Sequence, residues 1–498
     1  MRRLFVILLC LLPTSVLAQS GPPKPAPPPE PTTTSLAALR IFPQTGHSLS
    51  GPLGEFWAAN GGLAVFGVPT TSARPFVSAA SAQITERARL EYHPENPAPY
   101  TVQLGLIGKL VLENLGRDWR SEGAGEPMDG SCRSFPATGR SVCGPFLRYW
   151  QGHGLNFGQP GISDDESLAL FGLPLTAPQF ERNSSGDRVL TQWFERARFE
   201  LHPNNPPEHQ VLLGRLGAEL AGEAPAPARM TLSVPATIVQ GRTWSFTLAD
   251  NGFASVVGTA GDWPLTFARQ PDGRWLGLGG ANVLQALGPL GIQVSAVKTD
   301  GSAVYGEASI GVVDGKYPAE RVVLPPEVND SIANNQAKVD AERAMVNAIW
   351  PIVTPQKLWR GRFILPANGR MVSEFGTRRA YNDGPYSSYH EGLDIANVTG
   401  TPVVATGRGR VVLAQDDLIV RGGAVILDHG LGIHTGYWHL DKVLAKEGAI
   451  VEQGDVIGLM GTKGFSTAPH VHWDLRIGGL NVSPLEWTTQ DWGKSIEP

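Results

Sequence analysis

The string ERARLEYHPENP, beginning at Glu86, returns as ERARFELHPNNP at Glu195, and this recurrence constrains the fold more than any other feature of the chain. It belongs to a longer register. FPQTGH at Phe42 matches FPATGR at Phe135, and Phe56-Trp57 matches Tyr149-Trp150, both at an offset of 93. Phe66-Gly-Val-Pro matches Phe171-Gly-Leu-Pro at 105, and the final string matches at 109. The growing offset means two insertions in the second copy. Such a repeat predicts one small fold used twice, over residues 36–118 and 131–222.

His93 and His202 precede Pro at equivalent places and are followed by Asn96 and Asn205. A metal reading is possible, but a turn fixed by Pro and Asn, with Glu and Arg meeting on one face, explains the pattern more simply. The aromatic pairs at 56–57 and 149–150 could stack on sugar rings, and core packing is the simpler expectation. These repeats resemble a module of exported bacterial proteins to which no activity is attached.

At 498 residues the chain is too long for one core. Charged residues are only 17%, with 59 Gly and 41 Pro, which suits a turn-rich, mainly β, extracellular protein. The formal charge of -5 becomes -7 once Arg2 and Arg3 leave with a leader, so nucleic acid is excluded as a partner. Residues 1–18 read as a signal peptide: two arginines, an apolar run from Leu4 to Leu12, and small residues at Val16 and Ala18. Pro13 stops that run far short of the ~20 residues of a span, so no stable membrane insertion follows cleavage, and Gln19 after the cut excludes a lipoprotein. Export leaves Cys132 and Cys143 as the only two thiols in an oxidising compartment, where they pair. A loop this short adds roughly 3 kcal/mol at most, a local staple.

Residues 19–35 form a Pro-rich linker, stiff and extended. From 228 to 320, alternation such as Trp244, Phe246, Leu248 against Thr243, Ser245, Thr247, broken by Asp-Gly turns, predicts an immunoglobulin-like β-sandwich. Val328, Ile332, Val339, Val346 and Ile349 form one stripe on a linking helix over 326–350 that ends before Pro351 and docks on a neighbouring domain.

Six of the eleven histidines fall between His390 and His472. Catalytic zinc takes three protein ligands of imidazole and carboxylate type and keeps a position for water. His470 and His472, one residue apart on an alternating run, project to the same side of a strand. His390 and Asp394 are ~13 Å apart on a straight strand, so the chain must bend, and Gly392 permits it. A zincin reading, with Glu391 as base on a helix, is opposed by Gly392 and the Gly-Thr-Pro-Val-Val run that follows.

SEFGTRRAYND, YHEGLDIA, GTPVVA, ILDHGLGIHTGYWHL, VEQGDVIGLMG and APHVHWDL together resemble the lysostaphin-type (LytM) zinc peptidases over residues 360–490. The resemblance implies an antiparallel β-domain, bounded here at 352–490, with a groove whose floor carries one zinc ion. It implies His390, Asp394 and His472 as zinc ligands, His439 and His470 as the catalytic pair, and peptidoglycan as the partner. The function implied is an extracytoplasmic zinc endopeptidase, whether secreted, periplasmic or wall-associated; the alternative is a non-catalytic LytM-like scaffold or activator of other wall hydrolases. Cys-His and serine chemistries are excluded, because both thiols lie in the repeats and GHSLS and GFSTA lack the last Gly of a nucleophile elbow. Tyr437 shares the facing of His439 and reads as packing, with lining of the groove as the alternative; Asp474 is a candidate to support a ligand, and Asn382 one to touch the metal in a resting form. His429 and His434 read as structural. Residues 352–498 are expected to fold alone, with the upstream modules targeting the wall. The sequence carries no signature of oligomeric state.

Overall fold

The computed structural model describes residues 34–249, 251–323 and 334–494. The signal segment, most of the Pro-rich linker, and Val328 and Ile332 of the linking stripe lie outside the described residues. The chain is mainly β.

The two repeats have the same order of elements. Each opens with a two-stranded hairpin, Arg40–Ile41 with Ser48–Leu49 in the first and Cys132–Phe135 with Arg140–Cys143 in the second. Two helices and a four-stranded antiparallel meander follow, Arg74–Phe76 to Val102–Leu104 and Gln179–Arg182 to Val211–Leu213. Cys132 and Cys143 are disulfide-bonded across the second hairpin. Trp57 and Trp150 are buried, each edge-on to the phenylalanine of its own hairpin, Phe42 at 5.4 Å and Phe135 at 5.5 Å. They are core residues, not a sugar-stacking platform.

The copies are joined reciprocally. The helix closing the first, Ile107–Asn114, receives the turn of the second, with Lys109 N–H donating to Glu195 O; the helix closing the second, Leu216–Ala221, sits on the first, with Ala218 N–H donating to Glu86 O. A Cβ on Gly108 would lie 2.1 Å from Phe194 O, and one on Gly217 would lie 1.9 Å from Thr85 O, so only glycine allows this approach. Phe42, Trp57, Phe66, Phe146, Trp150 and Phe199 then share one core across both copies.

Residues 228–313 form an eight-stranded sheet bent at Trp263–Arg269, whose first residues pair with Phe253–Ala260 and last with Trp275–Gly280. Trp244, Phe246 and Leu248 face its core as their alternation requires. The opposite face is covered at Thr243 and exposed at Thr247. Thr243 N–H donates to Glu486, and Trp487 Nε1–H donates to Thr243 Oγ1.

The C-terminal domain is a ten-stranded antiparallel sheet with the central order Arg370–Ser373, Gly392–Ala396, His470–Ile477, Ile433–Val443, Gly422–Asp428, Gly409–Leu418. Leu393, Ile395, Val471, Trp473 and Leu475 fill one side of it, and Ala268, Leu276 and Leu278 of the preceding β-domain join that core. The linking helix runs from Gln336 to Asn347; its Val346, with Trp350 beyond it, packs on Leu413, Ala424, Ile426 and Trp438. A cut at residue 352 would strip both supports from the sheet. Thr34–Ser35, the end of the expected linker, pairs with Ile352–Val353 rather than standing free.

Candidate metal centre

Three central strands bring the site together. Asp394 is registered opposite His472, and Ala396 opposite His470. Strand alternation places His470, His472 and Asp474 on the side away from the core, with Asp394 beside them. His390 arrives differently. Its N–H donates to Thr377 O and its carbonyl accepts from Gly376 N–H, so it closes the small sheet of Arg378–Tyr381 and Ser388–Tyr389. The chain then passes into the main sheet at Gly392, and this change of sheet is the required bend. Gly392 is needed for space rather than for unusual backbone angles: a Cβ there would lie 2.4 Å from Trp473 O and 2.5 Å from His472 Nε2.

His390 Nε2, Asp394 Oδ1 and His472 Nδ1 form a triangle with all three sides 3.0 Å. A tetrahedral ion with bonds of about 2.0–2.1 Å needs ligand atoms about 3.3 Å apart, so the triangle has the size of a zinc face. Its chemistry also calls for a cation. His390 Nδ1 lies 3.0 Å from Glu374 O, a group that only accepts, so Nδ1 carries the proton and Nε2 aims a lone pair at a carboxylate. Burial pushes the His390 pKa down and keeps the ring neutral. Among the described residues, this is the cluster of three His, Cys, Asp or Glu side chains that can share an ion.

His439 and His470 stand beside the triangle, their rings 4.8 Å apart, with His470 Nε2 at 3.8 Å from Asp394 Oδ1. Each is oriented by a backbone carbonyl: His439 Nδ1–H donates to Lys463 O, and His470 Nδ1–H to Ala468 O, both at 2.8 Å. The Nε2 atom of each is thereby the proton acceptor. Burial and the neighbouring histidines lower His439 to about 3, so it is neutral at physiological pH.

Several sequence expectations change here. Tyr437 takes the packing reading and does not line the groove. It is fully buried, its hydroxyl bonded to Thr406 and Thr435, because His439 adopts φ 64° and breaks the alternation that would have put the two on one side. Asp474 makes no hydrogen bond to a ligand; it is 2% exposed, with Oδ1 unpartnered and Oδ2 3.6 Å from Arg476. The Asn382 backbone N–H is engaged by Val322 O. Glu391 points to Arg476 at 2.7 Å and sits on no helix, which removes the zincin reading. His429 and His434 are buried away from the triangle, beside Arg408 O and Asp428. The carbonyls of Glu374, Lys463 and Ala468, which aim the rings, have no signature in sequence because every residue has one.

A mainly β domain with this convergence of His, Asp and His belongs to a recognisable class of peptidase folds. Residues 388–484 match the model of Peptidase family M23, and the C-terminal domain is an M23 domain of the LytM or lysostaphin type. The chain is 35% identical over 125 residues to the peptidoglycan DD-endopeptidase ShyA of Vibrio cholerae, covering 25% of this chain and 29% of that protein. It is 32% identical over 137 residues to the murein hydrolase activator NlpD of Escherichia coli, covering 28% of this chain and 33% of that one. The chain thus spans about a third or less of these relatives. The catalytic domain of lysostaphin from Staphylococcus simulans superposes with a TM-score of 0.22 at 29% identity, over 25% of this chain and 94% of that structure. No helix among the described residues is long and apolar enough to cross a membrane.

Proposed function

We propose that this chain is an exported zinc endopeptidase that hydrolyses peptide bonds in bacterial peptidoglycan, in the cross-link or the stem peptide. The observation that carries the reading is the 3.0 Å triangle of His390, Asp394 and His472 with two further imidazoles beside it. His390, Asp394 and His472 would hold zinc, which when bound supplies a Lewis acid for the scissile carbonyl and acidifies water. The Nε2 of one of His439 and His470 takes the proton of the attacking water. The other can donate to the oxygen on which charge develops once it has taken a solvent proton at Nε2 as the imidazolium, its Nδ1–H staying on the backbone carbonyl, and each effect is worth ~10²-fold or more. The carbonyls of Lys463 and Ala468 fix both tautomers in advance, so no rotation is needed during the reaction. The leader at residues 1–18 supports export.

Similarity to a protein named as a murein hydrolase activator favours a second reading, a non-catalytic regulator of wall hydrolases. The complete set of five side chains supports the enzyme. One preparation distinguishes the two: zinc content, and new free amines released from purified peptidoglycan. Stoichiometric zinc with amine release is expected; a metal-loaded protein that releases none would overturn the enzymatic reading.

A further inference from the structure

The linking helix Gln336–Asn347 buries three side chains, Val339, Glu342 and Val346, and one of them is a carboxylate. Val339 and Val346 fit an apolar stripe. Glu342 does not: its side chain is 3% exposed, and such a group is retained only where specific partners receive it. Its Oε2 accepts the Val420 N–H at 2.9 Å and its Oε1 accepts Arg421 Nη1–H at 2.8 Å. The Arg421 guanidinium in turn lies over the Trp438 ring, 5.1 Å from its centre.

Those two residues also hold His439. The His439 N–H donates to Arg421 O, and Phe465 N–H donates to Val420 O, each at 2.8 Å. The loop fixed by that second bond supplies the Lys463 carbonyl that accepts His439 Nδ1–H. Nothing separates the two loops, since a Cβ on Gly422 would lie 2.5 Å from Lys463, and one on Gly464 would lie 2.5 Å from Gly422 N. His439 is thus gripped at its backbone and its ring by two loops bound to each other. Its φ of 64° is one that a residue with a side chain adopts only when its surroundings impose it.

We propose that Glu342 is a positioning residue for His439: a carboxylate on the helix outside the peptidase sheet clamps residues 420–421 and, through them, sets the imidazole that handles the proton. The inference rests on the proposed role of His439. It joins the helix that follows the upstream β-domain mechanically to the site, although Glu342 touches no reacting atom.

The test uses the full chain with Glu342→Ala, Glu342→Gln and, as a helix-docking control, Val346→Ala. Glu342→Ala should lower kcat on a cross-linked muropeptide by ~10- to ~100-fold, the scale of a misplacement of about 1 Å, with KM and zinc content unchanged. Hydrogen exchange at the amides of Val420, His439 and Phe465 should accelerate, and Glu342→Gln, which keeps one acceptor oxygen, should fall between. Val346→Ala should lower the melting temperature while leaving kcat at 25 °C at the wild-type value. Wild-type kcat and wild-type exchange at these three amides in Glu342→Ala would overturn the proposal, and if that variant does not fold, the same result in Glu342→Gln does so. His439→Ala run in parallel separates the two failures: full turnover there removes the role of His439, while the exchange data still test the clamp.

Discussion

Histidine stands beside carboxylate in both the repeats and the C-terminal domain, with opposite meanings. His93 Nε2 lies 3.6 Å from Glu91 and His202 Nε2 lies 3.5 Å from Glu200. Those carboxylates are already balanced, Glu91 by Arg89 at 2.6 Å and Glu200 by Arg198 at 2.7 Å. Asp394 is met instead by the nitrogens of His390, His472 and His470. A carboxylate with a guanidinium beside it needs no further cation. One met by imidazoles, with the His390 lone pair turned inward, does. A histidine near an acid is therefore uninformative until the partner that neutralises the acid is known.

The sharpest way to break this contrast is to remove one corner of the triangle. His390→Ala, Asp394→Ala or His472→Ala should lower zinc affinity by well over the ~100-fold that loss of an outer partner costs, and activity should go with it. Metal analysis after dialysis, beside a cleavage assay, reads both, and near-stoichiometric zinc in the Asp394 variant would show the ligand set to be wrong. Next in size, His439→Ala or His470→Ala should cut turnover by ~10² or more while zinc stays bound. Loss of zinc from either would move that residue into the ligand set.

His429 is a third kind of histidine, wholly buried beside Asp428 and His434, its Nδ1–H on Arg408 O and its Nε2 2.7 Å from Thr435 Oγ1. Burial lowers its pKa from 6.5 to about 4. Because the folded value lies below the unfolded one, the unfolded state binds the extra proton. Stability is full above pH ~6.5 and falls by about 3 kcal/mol as pH drops to ~4. Urea melts of wild type and His429→Gln across that window should give a shallower loss in the variant; equal slopes would exclude His429 as a source. The smallest effect belongs to the repeats. His93→Ala and His202→Ala should leave zinc content and cleavage unchanged and alter stability by no more than about 1 kcal/mol.

How much of the site was readable depends on how local each constraint is. His470 and His472 could be paired from spacing alone, since strand alternation relates residues two apart. The need for a bend between His390 and Asp394 followed from strand length, whereas its cause, a change of sheet at Glu391, depends on a neighbour at Thr377. Tyr437 packs as first read, but its shared facing with His439 failed, because parity counting assumes an unbroken strand and the left-handed His439 breaks it.

By itself the sequence determined the repeat, the mainly β character, the cysteine pair and the histidine-rich strings, because each depends on spacing along one chain or on which residue types are present. Only the tertiary structure decided that each repeat is closed by a helix seated on the other, and that the peptidase core borrows Leu276 and Leu278 from the preceding domain. It also decided that Glu342, 78 residues before Val420, reaches the loop that holds His439. Those contacts join segments far apart in sequence through backbone carbonyls, glycine clearances and one buried charge, and none of these leaves a periodic or compositional trace.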